Sequence, residues 1–201
     1  MPIIVTDFEQ GSLEWFSACC GNVGASSISH IITSTGERSK SRTDYMLELA
    51  SEKITGKRDE TFYNIHMKNG NEREESARDL FSMLYDVEIQ KVGIAYKDEN
   101  KTFHCSPDGL IGNNQGIEIK SPMMKIQAKR LLSGQLPTEY FSQIQMSLYV
   151  TERDLWYFVS HYEGLKPLII ECRRDEAFIK KLEEELNVFN EELLQTVEKL
   201  R

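Results

Sequence analysis

The chain has 201 residues, of which 40% are hydrophobic and 28% charged, and its formal net charge at pH 7 is −8. This length suits a single domain, residues 1–201, with a sizeable core, and no run of residues is apolar enough to span a bilayer. The acidic balance excludes a general nucleic-acid coat protein, whose affinity rests on many phosphate contacts. It leaves open a nuclease whose positive charge is confined to one channel.

The N-terminal segment and the cysteines bear on where the protein works. The first residues lack the basic start and the cleavage site of a signal peptide, so we expect an intracellular protein. None of the four cysteines is spaced as C-x-x-C: they are Cys19, Cys20, Cys105 and Cys172. We therefore expect buried free thiols, not a zinc site or an iron–sulfur cluster.

The first predicted elements are short. Residues 1–11 predict an extended segment, and Ser12 is a plausible cap for a helix that begins at Leu13. Residues 21–27 predict a turn into a second helix, which would run through Ile28, Ile31 and Ile32. Ser26 at the start of that helix either is a plain N-cap or, with the neighbouring N–H groups, holds a phosphate.

Two longer helices are predicted next, after a polar loop over residues 33–42. Residues 43–55 predict a helix that ends at Gly56, and its buried stripe consists of Tyr45, Met46, Leu49 and Ile54. Residues 64–84 predict a second helix with a possible break at Gly70. Three glutamates crowd its middle, Glu72, Glu74 and Glu75, and periodicity alone indicates a solvated acidic face.

The following stretch predicts strands that lead into a β-hairpin. Strands are expected over 87–96 and 102–105, and the runs S-P-D-G-L at 106–110 and G-I-E-I-K-S-P at 116–122 form the hairpin. Asp108-Gly109 and Gly112-Asn113-Asn114 are turn signals. The alternation over 117–120 places Glu118 and Lys120 on one face, with Ile117 and Ile119 facing a core.

A closed hairpin would bring Asp108 beside Glu118. Two adjacent carboxylates raise each other's pKa unless a cation lies between them, and a hard divalent ion such as Mg²⁺ accepts these oxygens. Lys120, on the same face, can hold or deprotonate a water or steady a phosphate. The alternative is an ordinary surface hairpin with solvated charges.

The C-terminal part predicts an alternation of helices and strands. Lys125 and Lys129 have the spacing of one helix face, which either is solvated or contacts DNA phosphates. Residues 137–150 predict an amphipathic helix, and on this pattern alone Gln143 is a polar residue on its exposed side. Residues 154–160 predict a central strand and 167–172 another. Residues 175–201 predict one long helix with a buried stripe of Ile179, Leu182, Leu186, Phe189, Leu193, Val197 and Leu200.

The two hairpin runs resemble the lambda-exonuclease (YqaJ-type viral recombinase) family of PD-(D/E)XK nucleases. The resemblance extends from about Trp15, through Gly21 and Gly24-Ala25-Ser26, to the final helix. It implies an α/β fold, the PD-(D/E)XK (restriction-endonuclease-like) core with a mixed central sheet flanked by helices. The predicted order of helix, strands, helix, strands agrees with that core.

The resemblance also implies roles for the hairpin residues. Asp108, Glu118 and the carbonyl of Ile119 would bind Mg²⁺, for which Mn²⁺ could substitute, and Glu74 would help to hold a second ion. Lys120 would orient or deprotonate the attacking water, with a pKa that burial could lower, and Gln143 would position Lys120.

Further residues acquire DNA-binding roles from the resemblance. Ser26 would belong to a pocket for the 5′-phosphate, but Cys19 stands where the family has an arginine, so weaker 5′-phosphate recognition is expected. Arg38 and Arg42 could supply the missing charge. Met67 aligns with an apolar residue that wedges into the terminal base pair, although a helical methionine is more often part of a core.

The function implied is a 5′-to-3′ exonuclease that digests one strand of linear double-stranded DNA and leaves 3′ overhangs. The family further implies a homotrimeric ring, a single-strand annealing protein as partner, and the cytoplasm of a bacterial host cell as location. Two alternatives stay open. One is a structure-specific or restriction-type endonuclease on the same core, and the other is a non-catalytic DNA-end-binding subunit.

Overall fold

Two β-sheets organise the chain, in a computed structural model that describes residues 1–58 and 65–201 and, for residues 65–72, the backbone alone. The strands are β1 (Ile3–Val5), β2 (Val23–Gly24), β3 (Ile89–Gln90), β4 (Ile94–Tyr96), β5 (Phe103–Cys105), β6 (Gly109–Ile111), β7 (Gln115–Lys120), β8 (Leu155–Ser160) and β9 (Leu168–Arg173). One sheet has the order β1-β4-β5-β2 and the other β3-β6-β7-β8-β9. Both contain parallel and antiparallel pairs.

Helices pack around these sheets and complete a mixed α/β fold, as predicted. They are α1 (Leu13–Cys19), α2 (Arg42–Thr55), α3 (Ile65–Tyr85), α4 (Met124–Ser133), α5 (Phe141–Thr151) and α6 (Glu176–Leu200), with 3₁₀ turns at Ala25–His30 and Thr138–Tyr140. Ser12 caps α1 as expected, since its side chain accepts a hydrogen bond from Trp15 N. In the described part of the chain, no helix is both long and apolar enough to cross a bilayer.

The five-stranded sheet positions the hairpin. β7 pairs antiparallel with β6 and parallel with β8, so both of its edges are hydrogen-bonded. Every residue of β8 is buried, which confirms the central strand predicted over 154–160. A parallel neighbour requires a crossover connection, and α4 and α5 supply it.

The helix predicted over 137–150 differs from the expectation in two ways. Its first turn is 3₁₀, and the α-helix begins only at Phe141. Residues 144–151 are all buried, so α5 is not amphipathic. The 3₁₀ turn at Ala25–His30, several strands and α6 all pack against α5. No side of residues 144–151 is therefore open to solvent.

The long C-terminal helix follows its predicted pattern closely. Its apolar stripe is buried against α2 and its neighbours, except that Leu200, the last residue of the helix, is 53% exposed. Asp175 caps the helix by accepting a hydrogen bond from Phe178 N at 3.0 Å. The predicted helix over 43–55 is also present and ends at Gly56 in the left-handed conformation, but Ile54 is exposed.

The predicted strand over 87–96 is instead two strands in different sheets. Gly93 separates them, and its N–H bonds to Val5 O at 3.0 Å. A Cβ on Gly93 would lie 2.4 Å from Phe8 O, so the chain passes too close to the N-terminal segment for any larger residue. This long-range approach moves the chain from one sheet to the other, and the local sequence does not encode it.

Candidate active site

The hairpin forms at the predicted place and brings Asp108 next to Glu118. Gly109 pairs with Ile117, so Asp108 is the position opposite Glu118 in the same register. Asp108 Oδ2 accepts a hydrogen bond from Ile119 N at 2.5 Å. The N–H and C=O of one strand residue point to the same side, so the carbonyl of Ile119 also faces Asp108.

The carboxylate of Glu118 contacts the side chains of two other predicted residues. Lys120 Nζ lies 2.5 Å from Glu118 Oε1, and Gln143 Nε2 donates to that same oxygen at 2.7 Å. The side chain of Glu118 is 4% exposed and that of Lys120 is 29% exposed. Gln143, predicted to position Lys120, donates to the same carboxylate oxygen that Lys120 contacts, and its role in positioning Lys120 stays a prediction.

Helix α3 adds Glu74 and Arg78, which are four residues apart and therefore share a helix face. Arg78 Nε donates to the main-chain oxygen of Asp108 at 2.9 Å. Burial raises the pKa of Glu74 and the charge of Glu118 adds to this, while Lys120 and Arg78 oppose it. Glu74 is thus within the electrostatic reach of the hairpin acids, and Arg78 is a site residue that the sequence did not reveal.

The charges of the hairpin are strongly interdependent. Burial raises the pKa of Asp108 well above its ordinary value, and the charge of Glu118 raises it further. Burial alone would lower the pKa of Lys120, but the carboxylates of Glu118 and Asp108 outweigh burial and raise it. The expected lowering of the Lys120 pKa is therefore wrong, because the carboxyl groups of Glu118 and Asp108 lie close to the ammonium.

These oxygens fit a hard divalent ion. Asp108 Oδ1 and Glu118 Oε2 have no hydrogen-bond partner among the described residues, and the carbonyl of Ile119 lies on the same side. Mg²⁺ is usually held by one or two carboxylates and keeps several waters. Among the described side chains, those of residues 1–58 and 73–201, however, no three Asp, Glu, His or Cys residues are grouped closely enough to hold an ion. Glu74 is not part of such a group, and its role in holding a second ion stays a prediction.

A small cavity of about 60 Å³ adjoins Glu118 and Gln143 on one side. The sequence predicted Ser26 for a phosphate pocket, and Ser26 lines this cavity together with Cys19. The cation in its wall is Arg58, which the sequence analysis missed. Glu52 holds this arginine through a 3.0 Å hydrogen bond from Arg58 Nε to Oε1.

The two arginines expected to supply that charge lie elsewhere. Arg38 Nε contacts Glu185 Oε2 at 2.9 Å, and Arg42 NH2 contacts Glu192 Oε2 at 2.9 Å. Both glutamates belong to α6, which packs on α2 and attracts these side chains away from the cavity. Arg42 is the first residue of α2, not part of the preceding loop.

The remaining predicted DNA-binding residues are placed as follows. Lys125 and Lys129 are exposed on α4, as their spacing indicated. Met67 belongs to α3, but its side chain lies outside the described residues. The cysteines are free thiols, and burial raises the pKa of Cys19 to about 12 and that of Cys172 to about 11.

A larger groove of about 540 Å³ adjoins Asp108 and Glu74 on the other side of the hairpin acids. Its walls come from three parts of the chain: the N-terminal segment (Thr6, Phe8, Glu9, Gln10), helix α3 (Glu74, Glu75, Arg78) and the region around β3 and β6 (Lys91, Val92, Gly93, Pro107, Asp108). The acids therefore separate a small cavity from a groove several times larger.

A family model described as the YqaJ-like viral recombinase domain matches residues 14–154. An uncharacterized protein of Acanthamoeba polyphaga mimivirus is 32% identical over 104 residues, which are 45% of this chain and 19% of that protein. The chain thus matches only about a fifth of the length of that relative.

Solved structures are similar over nearly the whole chain. An alkaline exonuclease, LHK-Exo from Laribacter hongkongensis, is 31% identical with a TM-score of 0.85, covering 94% of this chain and 96% of that one. The same enzyme in complex with dAMP is 30% identical with a TM-score of 0.83 and the same coverage. A phage-related exonuclease from Haemophilus somnus shares the fold at 17% identity, with a TM-score of 0.65 over 90% of this chain and 96% of that one.

Proposed function

The chain belongs to the YqaJ-like viral recombinase domain family, and from this premise we propose that it is a Mg²⁺-dependent exonuclease acting on linear double-stranded DNA. It would digest one strand from the 5′ end and leave a 3′ overhang for strand annealing. The observation that carries the proposal is the convergence of Lys120 and Gln143 on one oxygen of Glu118, with Asp108 opposite. The similarity to an alkaline exonuclease over almost the whole chain supports the same reading.

Each residue of the site has a task in phosphodiester hydrolysis. Asp108, Glu118 and the Ile119 carbonyl would hold Mg²⁺, which would lower the pKa of a bound water and stabilise charge on the phosphate. Glu74 would help to hold a second ion when DNA is present. Mn²⁺ has the same preference for oxygen ligands and would substitute.

The other polar groups would orient and hold the substrate. Lys120, steadied by Glu118, would donate to the attacking water or to a phosphate oxygen. Gln143 would keep the Glu118 carboxylate in one orientation, which leaves Oε2 for the ion. The hydrogen bond from Ile119 N would similarly fix Asp108 and leave Oδ1 available.

The small cavity supports recognition of a 5′-phosphate end. Arg58 is held by Glu52 and lines the same cavity of about 60 Å³ as Ser26. The cavity borders Glu118 directly, so a phosphate in it would lie next to the reacting bond. Met67 would wedge into the terminal base pair, and Lys125 and Lys129 would contact backbone phosphates.

The assembly and the cellular setting are also proposals. We infer a homotrimeric ring threaded by DNA and a single-strand annealing protein that loads on the emerging 3′ strand. The family description, a viral recombinase domain, supports a role in DNA recombination. The location that we propose is the cytoplasm of a bacterial host cell.

A labelled duplex tests the activity. Linear duplexes carrying a label on the 5′ or the 3′ end of one strand would be incubated with Mg²⁺ or with EDTA. We expect mononucleotide release from the 5′ end with Mg²⁺ only, and no digestion by Asp108→Ala, Glu118→Ala or Lys120→Ala. Asp154→Ala is the matched control, since this exposed acid bonds to Asn114 at the far end of β7 and should leave digestion unchanged.

The outcomes separate the alternatives. Cleavage of closed circular DNA would indicate an endonuclease on the same core. Binding of DNA ends without Mg²⁺-dependent loss of substrate would indicate a non-catalytic end-binding subunit. Full activity in any of the three alanine variants would remove that residue from the mechanism.

A further inference from the structure

We propose that Arg78 binds a backbone phosphate of the digested strand on the 3′ side of the cut, within the large groove. This inference rests on the proposed function and adds a binding residue and a strand path to it. The 5′ end would occupy the small cavity beside Glu118, the reacting bond would lie at the hairpin acids, and the strand would continue past Asp108 into the groove.

The fixed position of Arg78 is the first argument. Its Nε atom donates a hydrogen bond to the main-chain oxygen of Asp108 at 2.9 Å, which holds the guanidinium beside the hairpin acids. For the two terminal nitrogens of that guanidinium, the described residues supply no hydrogen-bond partner. An arginine that is held through Nε and keeps its two terminal nitrogens unpaired can donate two hydrogen bonds to two oxygens of one phosphate.

The charge of the groove is the second argument. Asp108, Glu74, Glu75 and Glu9 line it, and four carboxylates repel a phosphodiester backbone unless cations offset them. The cations in its walls are Lys91 and Arg78, and Lys91 Nζ is already bonded to Glu75 Oε1 at 2.7 Å. Arg78 is therefore the cation that remains available to the phosphates of a DNA strand leading away from Asp108 and Glu118.

The shape of the groove is the third argument. It has about 540 Å³, several times the 60 Å³ of the small cavity, so it offers the larger space to a strand that leaves the hairpin acids. Its floor is also fixed, since Gln10 Nε2 donates to Val92 O at 2.9 Å and to Pro107 O at 2.8 Å. A rigid floor would keep the strand at one height above Asp108.

Neutralising one phosphate at a time tests the proposal. A series of 5′-phosphorylated duplexes would each carry a single uncharged methylphosphonate at the second, third or fourth linkage from the 5′ end. Binding would be measured by fluorescence anisotropy in EDTA, where no cleavage occurs, for the wild type, Arg78→Gln, Arg78→Lys and Arg173→Gln. Arg173 is the matched control because it is exposed on β9 and does not line the groove.

We expect Arg78→Gln to weaken binding of the unmodified duplex on the order of tenfold, and Arg78→Lys to weaken it less. The salt dependence of binding should fall by about one counterion for Arg78→Gln and stay unchanged for Arg173→Gln. At one linkage, the methylphosphonate should weaken wild-type binding but have no added effect in Arg78→Gln.

Two results would overturn the inference. In the first, each methylphosphonate would weaken binding by the same factor in Arg78→Gln as in the wild type, which would mean that Arg78 only supports the Asp108 loop. In the second, Arg78→Gln would bind all duplexes as tightly as the wild type does. Thermal melts of Arg78→Gln and Arg78→Lys check folding, and since the assay needs no Mg²⁺, failure of the exonuclease proposal would appear separately in the digestion experiment.

Discussion

Gln143 on α5 holds Glu118 on β7 through a 2.7 Å hydrogen bond from its Nε2 to Oε1. This bond engages one carboxylate oxygen, and the second, Oε2, has no hydrogen-bond partner among the described residues. We predict that Gln143→Ala and Gln143→Glu each lower nucleotide release by about 10- to 100-fold and raise the Mg²⁺ concentration needed for half-maximal rate. The glutamate variant should be the worse of the two, because it places a second carboxylate beside Glu118.

Gln145 offers a control on the same helix. It bonds to Arg173 O and to Asp175 N, so it joins α5 to the start of α6 and does not contact the acids. Gln145→Ala should lower the melting temperature while the rate per folded molecule stays near that of the wild type. Equal activity losses in the Gln143 and Gln145 variants would show that the effect of Gln143 is structural.

Arg58 and Cys19 lie in the wall of one cavity, and this changes what is expected of the 5′ end. The cysteine alone predicted a weak preference for 5′-phosphorylated substrates, but Arg58 supplies a cation in the same space. We predict that Arg58→Gln reduces the rate ratio of 5′-phosphoryl to 5′-hydroxyl duplexes on the order of tenfold, since one charge-assisted hydrogen bond is lost.

Lys53 provides the comparison for that variant. Lys53 lies in the last turn of α2, five residues before Arg58. Its Nζ contacts Asn22 Oδ1 at 3.4 Å, but it does not line the cavity. Lys53→Gln should leave the rate ratio unchanged. An unchanged ratio in Arg58→Gln would mean that the cavity does not select the terminal phosphate.

Local sequence was sufficient for the hairpin and insufficient for its surroundings. Asp108, Glu118 and Lys120 were placed correctly because a short turn and a strand alternation fix their relative positions. Arg58 and Arg78 were missed because they reach the site through packing of distant segments. The break at Gly93 was missed for the same reason, since its cause is the approach of Phe8 from the other end of the chain.

A buried histidine that lines the small cavity should make folding stability depend on pH. His104 is 6% exposed, its Nδ1 has no partner within the described residues, and a Cβ on Gly24 would lie 2.8 Å from its ring. Burial, with a contribution from Arg58, lowers the pKa of His104 from 6.5 to about 4. Between these two pKa values the histidine is protonated in the unfolded chain and neutral in the folded chain. Folding stability should therefore decline as the pH falls from about 6.5 towards 4.

Urea unfolding of the wild type and His104→Gln, compared at pH 7.5 and pH 5, measures this contribution. Each pKa unit corresponds to about 1.4 kcal/mol, so the loss on acidification should be clearly smaller in the variant. Carboxylates also titrate in this range, but they are common to both proteins and cancel in the comparison. An identical pH response of the two proteins would show that His104 does not remain neutral in the folded state.

Tyr140 stands between Lys120 and a buried arginine. Lys120 Nζ lies 5.3 Å from the centre of the Tyr140 ring, and Arg130 NH2 donates to the Tyr140 hydroxyl at 2.8 Å. The ring face attracts the ammonium and the hydroxyl bond fixes the ring, so Tyr140 should keep Lys120 aimed at Glu118. We predict that Tyr140→Leu lowers the rate of nucleotide release about tenfold with little change in DNA affinity.

Tyr140→Phe separates the two roles of the side chain. It keeps the ring under Lys120 and loses the bond to Arg130, so it should retain most of the activity and lower folding stability by about 1 kcal/mol. Single-turnover rates and thermal melts of both variants measure the split. Equal rates in the leucine and phenylalanine variants would mean that the ring does not act on Lys120, and Tyr140 would then serve only to satisfy Arg130 in the interior.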